Sequence, residues 1–212
     1  MNIILLGPQG SGKGTQARLL VGKFGFFYFE SGGFLRELSS KNEKVKAMLD
    51  KGAFVPDEEM VSYVTAFLDE KGLNDDILFD GFPRSIKQYI FLKSWLADRK
   101  TGINLAIVLQ IREEETIRRL SARRYDPATG KIYNLITDPP PKDIDKNSLV
   151  QRDDDKPEAI KKRLTWYKEQ VVPLIAELKK EVEVIDLDGA RPIAEIHQEI
   201  YEKILLKNQQ RG

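Results

Sequence analysis

The sequence predicts an α/β fold: a parallel five-stranded sheet flanked by helices. Three observations carry that reading. Short apolar runs alternate with segments of helical spacing in βαβα order, and that order implies parallel strands joined by crossover helices. The first apolar run leads straight into a glycine-rich loop that opens a helix. A length of 212 residues, 41% of them apolar, is enough for one core domain carrying small inserts.

Asn2–Leu6 is apolar and stops at glycine, as a buried strand does. Residues 14–24 follow with helical spacing, Thr15, Leu19, Leu20 and Phe24 falling on one side. A second short strand is expected at 27–29, and short helices at 31–38 and 43–50. Pro56 and the acids Asp57, Glu58 and Glu59 open a longer helix that runs to about Lys71, since carboxylates favour a helix N-terminus. Residues 77–79 form the third apolar run, before a helix at 85–98. The clearest strand is 103–111, with a helix at 113–123 after it. A last strand at 182–187 and a closing helix at 193–206 complete the pattern.

One stretch breaks the alternation. From Arg124 to Pro157 lie five of the ten prolines and no apolar run longer than two residues. A segment of that size inside a compact domain is either disordered or a functional flap. The turn-rich centre of 125–133, set between aromatic and β-branched residues, favours a flap built on a small β-hairpin.

Composition removes several function classes. With 34 Lys and Arg against 33 Asp and Glu, the net charge is +1, which speaks against a generic nucleic-acid binder while leaving room for a local basic cleft. There is no cysteine and one histidine, His197, so thiol catalysis, thiolate zinc and His-rich metal centres are all excluded. No stretch approaches the ~20 apolar residues of a spanning helix, and no signal-peptide core follows Leu6. A cytoplasmic, soluble protein with no membrane partner is the expectation.

The strongest motif is Gly7-Pro8-Gln9-Gly10-Ser11-Gly12-Lys13-Gly14-Thr15. It stands between a strand and a helix, where successive backbone N–H groups and the helix N-terminus form a cradle for phosphate. Lys13 would reach the β- and γ-phosphates as a point charge. After the apolar run at 77–79 comes Asp80-Gly81-Phe82-Pro83-Arg84, with Gln88 four residues on. In an open α/β sheet this turn faces the same crevice. Asp80 could order Mg²⁺ through its waters, Arg84 could clamp a phosphate, and Gln88 could read a base edge.

The Gly-Lys-Gly-Thr form of the loop resembles nucleoside monophosphate kinases, and the motifs together resemble the adenylate kinase family over nearly the whole chain. They include Ser31-Gly32 with Leu35-Arg36, the 52–57 segment, 80–88, Arg119 with Arg123-Arg124, the flap, Arg152-Asp153-Asp154 with Arg163-Leu164, and Asp188-Gly189 with Arg191-Pro192. The resemblance implies a P-loop kinase fold that transfers phosphate between ATP and AMP, giving two ADP, with Mg²⁺. It implies a core of 1–30, 60–123 and 159–212, an NMP-binding insert at 31–59 and a lid at 124–158. On the ATP side it implies the loop residues Gly10, Ser11, Gly12, Lys13, Gly14 and Thr15. Arg119 and Arg123 would stack on and hold ATP, Ile132 and Tyr133 would close over it, and Arg191 would lie beside its adenine. On the AMP side it implies Ser31, Arg36, the backbone of Ala53, Phe54 and Val55, then Gly81, Phe82, Arg84 and Gln88. Arg152 and Arg163 would reach the phosphates from the lid side, Asp154 positioning one of them. Asp80 is the acid matched to the metal's water shell.

Three departures stand out. Gly33 replaces the usual Asp, which implies weaker Mg²⁺ dependence or a raised Mg²⁺ requirement; Glu30 is a weak candidate to compensate. Gln9 replaces the usual proline of the loop, and is expected to be tolerated because backbone groups carry phosphate binding. Asp126 and Thr129 stand at two positions that hold zinc in many bacterial relatives, so a zinc-free lid is expected, with hydrogen bonds in place of the metal, and the resemblance itself implies a monomer. A UMP/CMP or GTP-using kinase remains a rival, though Gln88 favours AMP. A nucleotide sensor that has lost turnover is the rival of another class, motivated by Gly33.

Overall fold

The computed structural model describes residues 1–136 and 138–210. In chain order the core begins with β1 (Asn2–Leu6), α1 (Lys13–Phe24), β2 (Phe27–Glu30), α2 (Ser31–Ser39), α3 (Glu43–Asp50) and α4 (Asp57–Glu70). It continues through β3 (Ile77–Asp80), α5 (Ile86–Asp98), β4 (Ile103–Gln110) and α6 (Glu113–Ser121). A hairpin of β5 (Arg123–Tyr125) and β6 (Ile132–Asn134) leads, through two short 3-10 turns, to α7 (Pro157–Trp166). A π-helical turn, Tyr167–Val171, joins α7 to α8 (Val172–Glu181), and β7 (Val184–Asp188) and α9 (Ile193–Gln209) close the chain.

The main sheet has the order β2-β3-β1-β4-β7, with every neighbouring pair parallel. All five residues of β1 are buried because it sits at the centre with helices on both faces. Side chains alternate across a strand, so Ile3 and Leu5 pack with Ala17 and Leu20 of α1 and with Ile196, Ile200 and Ile204 of α9. Ile4 and Leu6 point the other way, into Tyr89 of α5 and Leu174, Ile175 and Leu178 of α8. A third cluster joins β2 and β3 to α4 and α5 around Phe29, Phe79 and Phe82. No helix among the described residues is long and apolar enough to cross a membrane.

The structure moves several expected boundaries. The helix expected at 113–123 ends at Ser121, because the chain pairs as β5 with β6 and the Ala122 carbonyl accepts from Leu135 N–H. Arg123 is therefore a strand residue. Ser85 lies outside α5 and caps it, its hydroxyl accepting from Gln88 N–H. The last strand begins at Val184, not 182, since Val182 is still bonded to the end of α8. Helices α7 and α8 occupy 157–181, a stretch for which the alternation predicted no bounded element; Ile160 and Leu164 pack on Leu120 of α6.

The described residues of the stretch that broke the pattern are tied together by backbone pairing. Tyr125 and Val150 exchange two backbone hydrogen bonds, and Leu149 is buried. In the hairpin turn the Asp126 carboxylate accepts from Ala128 N–H at 2.9 Å and from Thr129 Oγ1 at 2.6 Å.

Candidate functional site

The site lies beyond the carboxyl ends of the strands, where β1 is flanked by β3 and β4. The loop after β1 delivers Gly12, in a left-handed conformation, as the N-cap of α1, with no side chain bonded to the cap. The first N–H groups of α1 thus face the crevice with the positive end of the helix dipole. Lys13 Nζ folds back onto the loop's own carbonyls, 2.8 Å from Gly7 O and 2.9 Å from Pro8 O. Burial pulls its ammonium down from 10.5 to about 8; Asp80 opposes that, and Arg84 and Arg123 add to it.

At the end of β3, Asp80 is 7% exposed and accepts from Tyr28 Oη at 2.9 Å. Burial raises its carboxyl, against the pull of Lys13 and the Tyr28 bond. A methyl group on Gly14 would come within 3.9 Å of Asp80 Oδ2, which places the carboxylate against the phosphate loop. Next, Arg84 curls back so that Nε donates to Gly81 O and Nη2 to Ser31 Oγ at 2.9 Å. Gly81 has φ 72°, a conformation that favours glycine, and a Cβ there would stand 2.7 Å from Arg84 Nη2 and push that side chain from its place.

Gln88 is buried with both ends of its amide engaged. Its Oε1 accepts from Arg84 N–H at 2.7 Å and its Nε2 donates to Asp57 Oδ1 at 2.8 Å. Asp57, at the start of α4, also accepts from Ser85 Oγ. The acids read as helix-start residues thus include one that orients the expected base-reading side chain.

Glu30 does not lie free to assist a metal. Its two carboxylate oxygens accept from Gly32 N–H at 3.1 Å and Gly33 N–H at 2.7 Å, capping α2, and Arg36 donates to it at 3.2 Å. A Cβ on Gly33 would stand 2.6 Å from Glu30 Oε2. The cap and the glycine therefore belong together.

From the other side come the arginines. Arg119 donates to Gly10 O at 3.2 Å and to Gly189 O at 3.0 Å, bridging the phosphate loop and the turn after β7. Arg123 forks onto Asp155, Nε to Oδ2 at 2.7 Å and Nη2 to Oδ1, with Asp154 farther off at 3.8 Å. Asp155 is fully buried. Arg152 lies over the Tyr125 ring, 5.0 Å from its centroid, and burial followed by repulsion from Arg123 and Arg36 lowers its proton affinity. Arg163 donates Nη1 to Gln9 Oε1 at 2.6 Å and pairs with Asp154 Oδ2 at 2.7 Å. Burial opposes ionisation of Asp154, but Arg163 and Arg123 outweigh it and hold the carboxyl below its usual range.

Some expected residues stand elsewhere. Arg191 turns onto α9, bonding Glu199 at 2.7 Å with Glu195 nearby. Ile132 is exposed on the hairpin, while Tyr133 is buried with the Lys131 ammonium 5.1 Å from its ring centroid. In the 52–55 segment, the Phe54 ring stacks on Trp166 and Lys162 donates to Gly52 O. Sequence reasoning missed Asp57, Tyr28, the side chain of Gln9 and the pairing of Asp155. For Asp155 a signal existed, a run of three acids after Arg152, but the spacing does not say which acid turns inward.

The donor set bears on metals. A lone buried carboxylate beside a phosphate cradle fits Mg²⁺, which keeps waters and takes substrate phosphates as further ligands. Among the described residues, no group of three or more His, Cys, Asp or Glu side chains is placed to hold a metal ion by itself.

Comparison with known proteins adds an independent line. A family model described as adenylate kinase matches residues 5–183. The chain is 38% identical over 215 residues to an adenylate kinase of Archaeoglobus fulgidus, covering 98% of this chain and 99% of the relative. It is 35% identical over 218 residues to one of Petrotoga mobilis, covering 99% and 100%. A third, from Salinibacter ruber, is 35% identical over 208 residues, covering 96% and 98%.

Proposed function

The chain belongs to the adenylate kinase family, and on that premise we propose that it transfers the terminal phosphoryl group of ATP reversibly to AMP, giving two ADP. The observation that carries the site assignment is electrostatic. Arg84 and Arg123 both depress the proton affinity of Lys13, and Arg163 does the same to Arg84, so four cations from separate elements face one space. Cations gathered at one crevice focus positive potential there and favour a polyanionic ligand.

No general base is needed, because the attacking oxygen of AMP is already an anion. The work is alignment and charge neutralisation. The α1 N-terminus and Lys13 hold the β- and γ-phosphates of ATP, while Arg119 bridges the loop and the 189 turn on the nucleotide side. Ser31, Arg36, Arg84 and Gln88 take AMP, with Asp57 fixing the Gln88 amide. Arg123, Arg152 and Arg163 surround the group in transfer, held by Asp154 and Asp155. Asp80 would hold Mg²⁺, which when bound would supply neutralisation of phosphate charge. The flap at 124–158 excludes water that would otherwise hydrolyse ATP. It closes without zinc, on the Asp126–Thr129 turn and the Tyr125–Val150 bridge, and 31–59 forms the AMP insert. The protein acts as a cytoplasmic monomer with no nucleic-acid or membrane partner.

Incubation with Mg·ATP and each nucleoside monophosphate in turn tests this. Two ADP per AMP consumed is the expected result. Consumption of another monophosphate in preference to AMP, or ATP binding with no turnover, would overturn it.

A further inference from the structure

The loop residue that departs from the family pattern has a structural partner. Phosphate cradling is the task of backbone N–H groups, so the side chain at position 9 is free to do something else. Gln9 uses it to reach α7, 154 positions away in sequence, where its Oε1 accepts from Arg163 Nη1 at 2.6 Å. The same nitrogen lies 2.7 Å from Asp154 Oδ2. Arg163 is therefore held between a neutral acceptor on the phosphate loop and a charged one at the end of the flap.

The two acceptors differ in effect. Asp154 neutralises charge as it orients, whereas an amide oxygen orients a guanidinium and leaves its charge intact. That charge is felt across the crevice, for Arg163 is the largest influence on Arg84 after burial. We propose that Gln9 is a positioning residue that ties Arg163 to the phosphate loop, so that one rigid loop sets both the seat of the ATP phosphates and the reach of the arginine. This rests on the reading of Arg163 as a phosphate-contacting residue.

Gln9→Met, of similar length and without the strong acceptor, tests the tether. With this charge-assisted hydrogen bond lost and part of its strength expressed in the transition state, kcat should fall roughly tenfold. KM for ATP and AMP should change less than about twofold, and the melting temperature should hold. In an Arg163→Ala background the same substitution should have no further effect on kcat. Independently of turnover, the Arg163 side-chain Nε–H resonance, identified by its loss in Arg163→Lys, should shift in Gln9→Met. An unchanged resonance overturns the proposal, as does an equal loss of kcat in both backgrounds. If Arg163→Ala alone left kcat intact, the catalytic reading of Arg163 would fall, and the resonance would still decide whether Gln9 holds it.

Discussion

The ring of Phe54 lies nearly flat on the indole of Trp166, centroids 4.5 Å apart and planes 18° from parallel. Two residues earlier, the Gly52 carbonyl accepts from Lys162 Nζ at 3.0 Å. Both contacts fasten the segment between α3 and α4 to α7, across the mouth of the crevice. An aromatic pair contributes about 0.5–1.5 kcal/mol beyond its area, enough to bias a small insert.

Phe54→Ala should therefore loosen this segment and raise KM for AMP by roughly three- to tenfold, following the stacking energy, with kcat little changed. Trp166 reports the change directly. In a Trp95→Phe background the remaining indole emission should shift on Phe54→Ala without ligand, and shift in the wild type when AMP is added. Identical spectra and an unaltered KM would mean that the stack is incidental.

The Arg123–Asp155 pair sets a second expectation. Asp155 is fully buried, and burial raises its carboxyl against the pull of Arg123. Arg123→Ala would leave that carboxylate without its fork, a change that typically costs about 3–5 kcal/mol. Arg123→Ala should thus lower the melting temperature as well as kcat, whereas Arg84→Ala should lower activity with less change in melting temperature. A charge-stabilising arginine contributes about 10³–10⁵ in rate in GTPases, which makes a loss of at least ~10²-fold the expectation for each variant. Near-full turnover in both would remove the site assignment.

These two pairs show where the sequence was legible. The parallel sheet could be read because Asn2–Leu6, 77–79 and 103–111 are apolar runs that need two covered faces, a local property. The loop around Lys13 could be read for the same reason, since its geometry is written in adjacent residues. What could not be read are partners chosen in three dimensions. Asp155 rather than Asp154 takes Arg123 because the 3-10 turn at Asp153–Asp155 rotates one acid inward. Gln9 and Asp57 gain meaning only from side chains 154 and 31 positions away. Boundaries also moved where tertiary pairing overrode helical spacing, as at Arg123.

Gly33 and Glu30 form a single device, and that alters what restoring the family acid would do. The Glu30 carboxylate caps α2 through Gly32 N–H and Gly33 N–H. In Gly33→Asp the new Cβ would stand 2.6 Å from Glu30 Oε2 and displace it. Loss of an N-cap costs about 0.5–2 kcal/mol, so the melting temperature should fall even as the added carboxylate lowers the Mg²⁺ concentration for half-maximal rate. Glu30→Ala combined with Gly33→Asp should keep the lower Mg²⁺ requirement and be no more stable than Gly33→Asp alone, since the cap is lost in both. Equal Mg²⁺ titrations for all three proteins would show that Gly33 has no bearing on metal use.

Lys13 predicts opposite pH trends from one group. Burial holds its amine at about 8, below the ordinary 10.5. Between those values the unfolded chain binds the proton and the folded chain does not, so this residue makes the ligand-free protein more stable as pH rises through that window. Phosphate has the reverse preference, since it stabilises the ammonium. Above pH 8, ATP binding should take up a proton at Lys13, and affinity should fall as pH increases. Calorimetric titration of ATP at pH 9, in two buffers of different ionisation heat, measures that uptake. A fraction of a proton or more should be taken up by the wild type, and less by Lys13→Met. If the two proteins take up the same amount, Lys13 is not the phosphate-sensing amine, and its depressed proton affinity reflects burial alone.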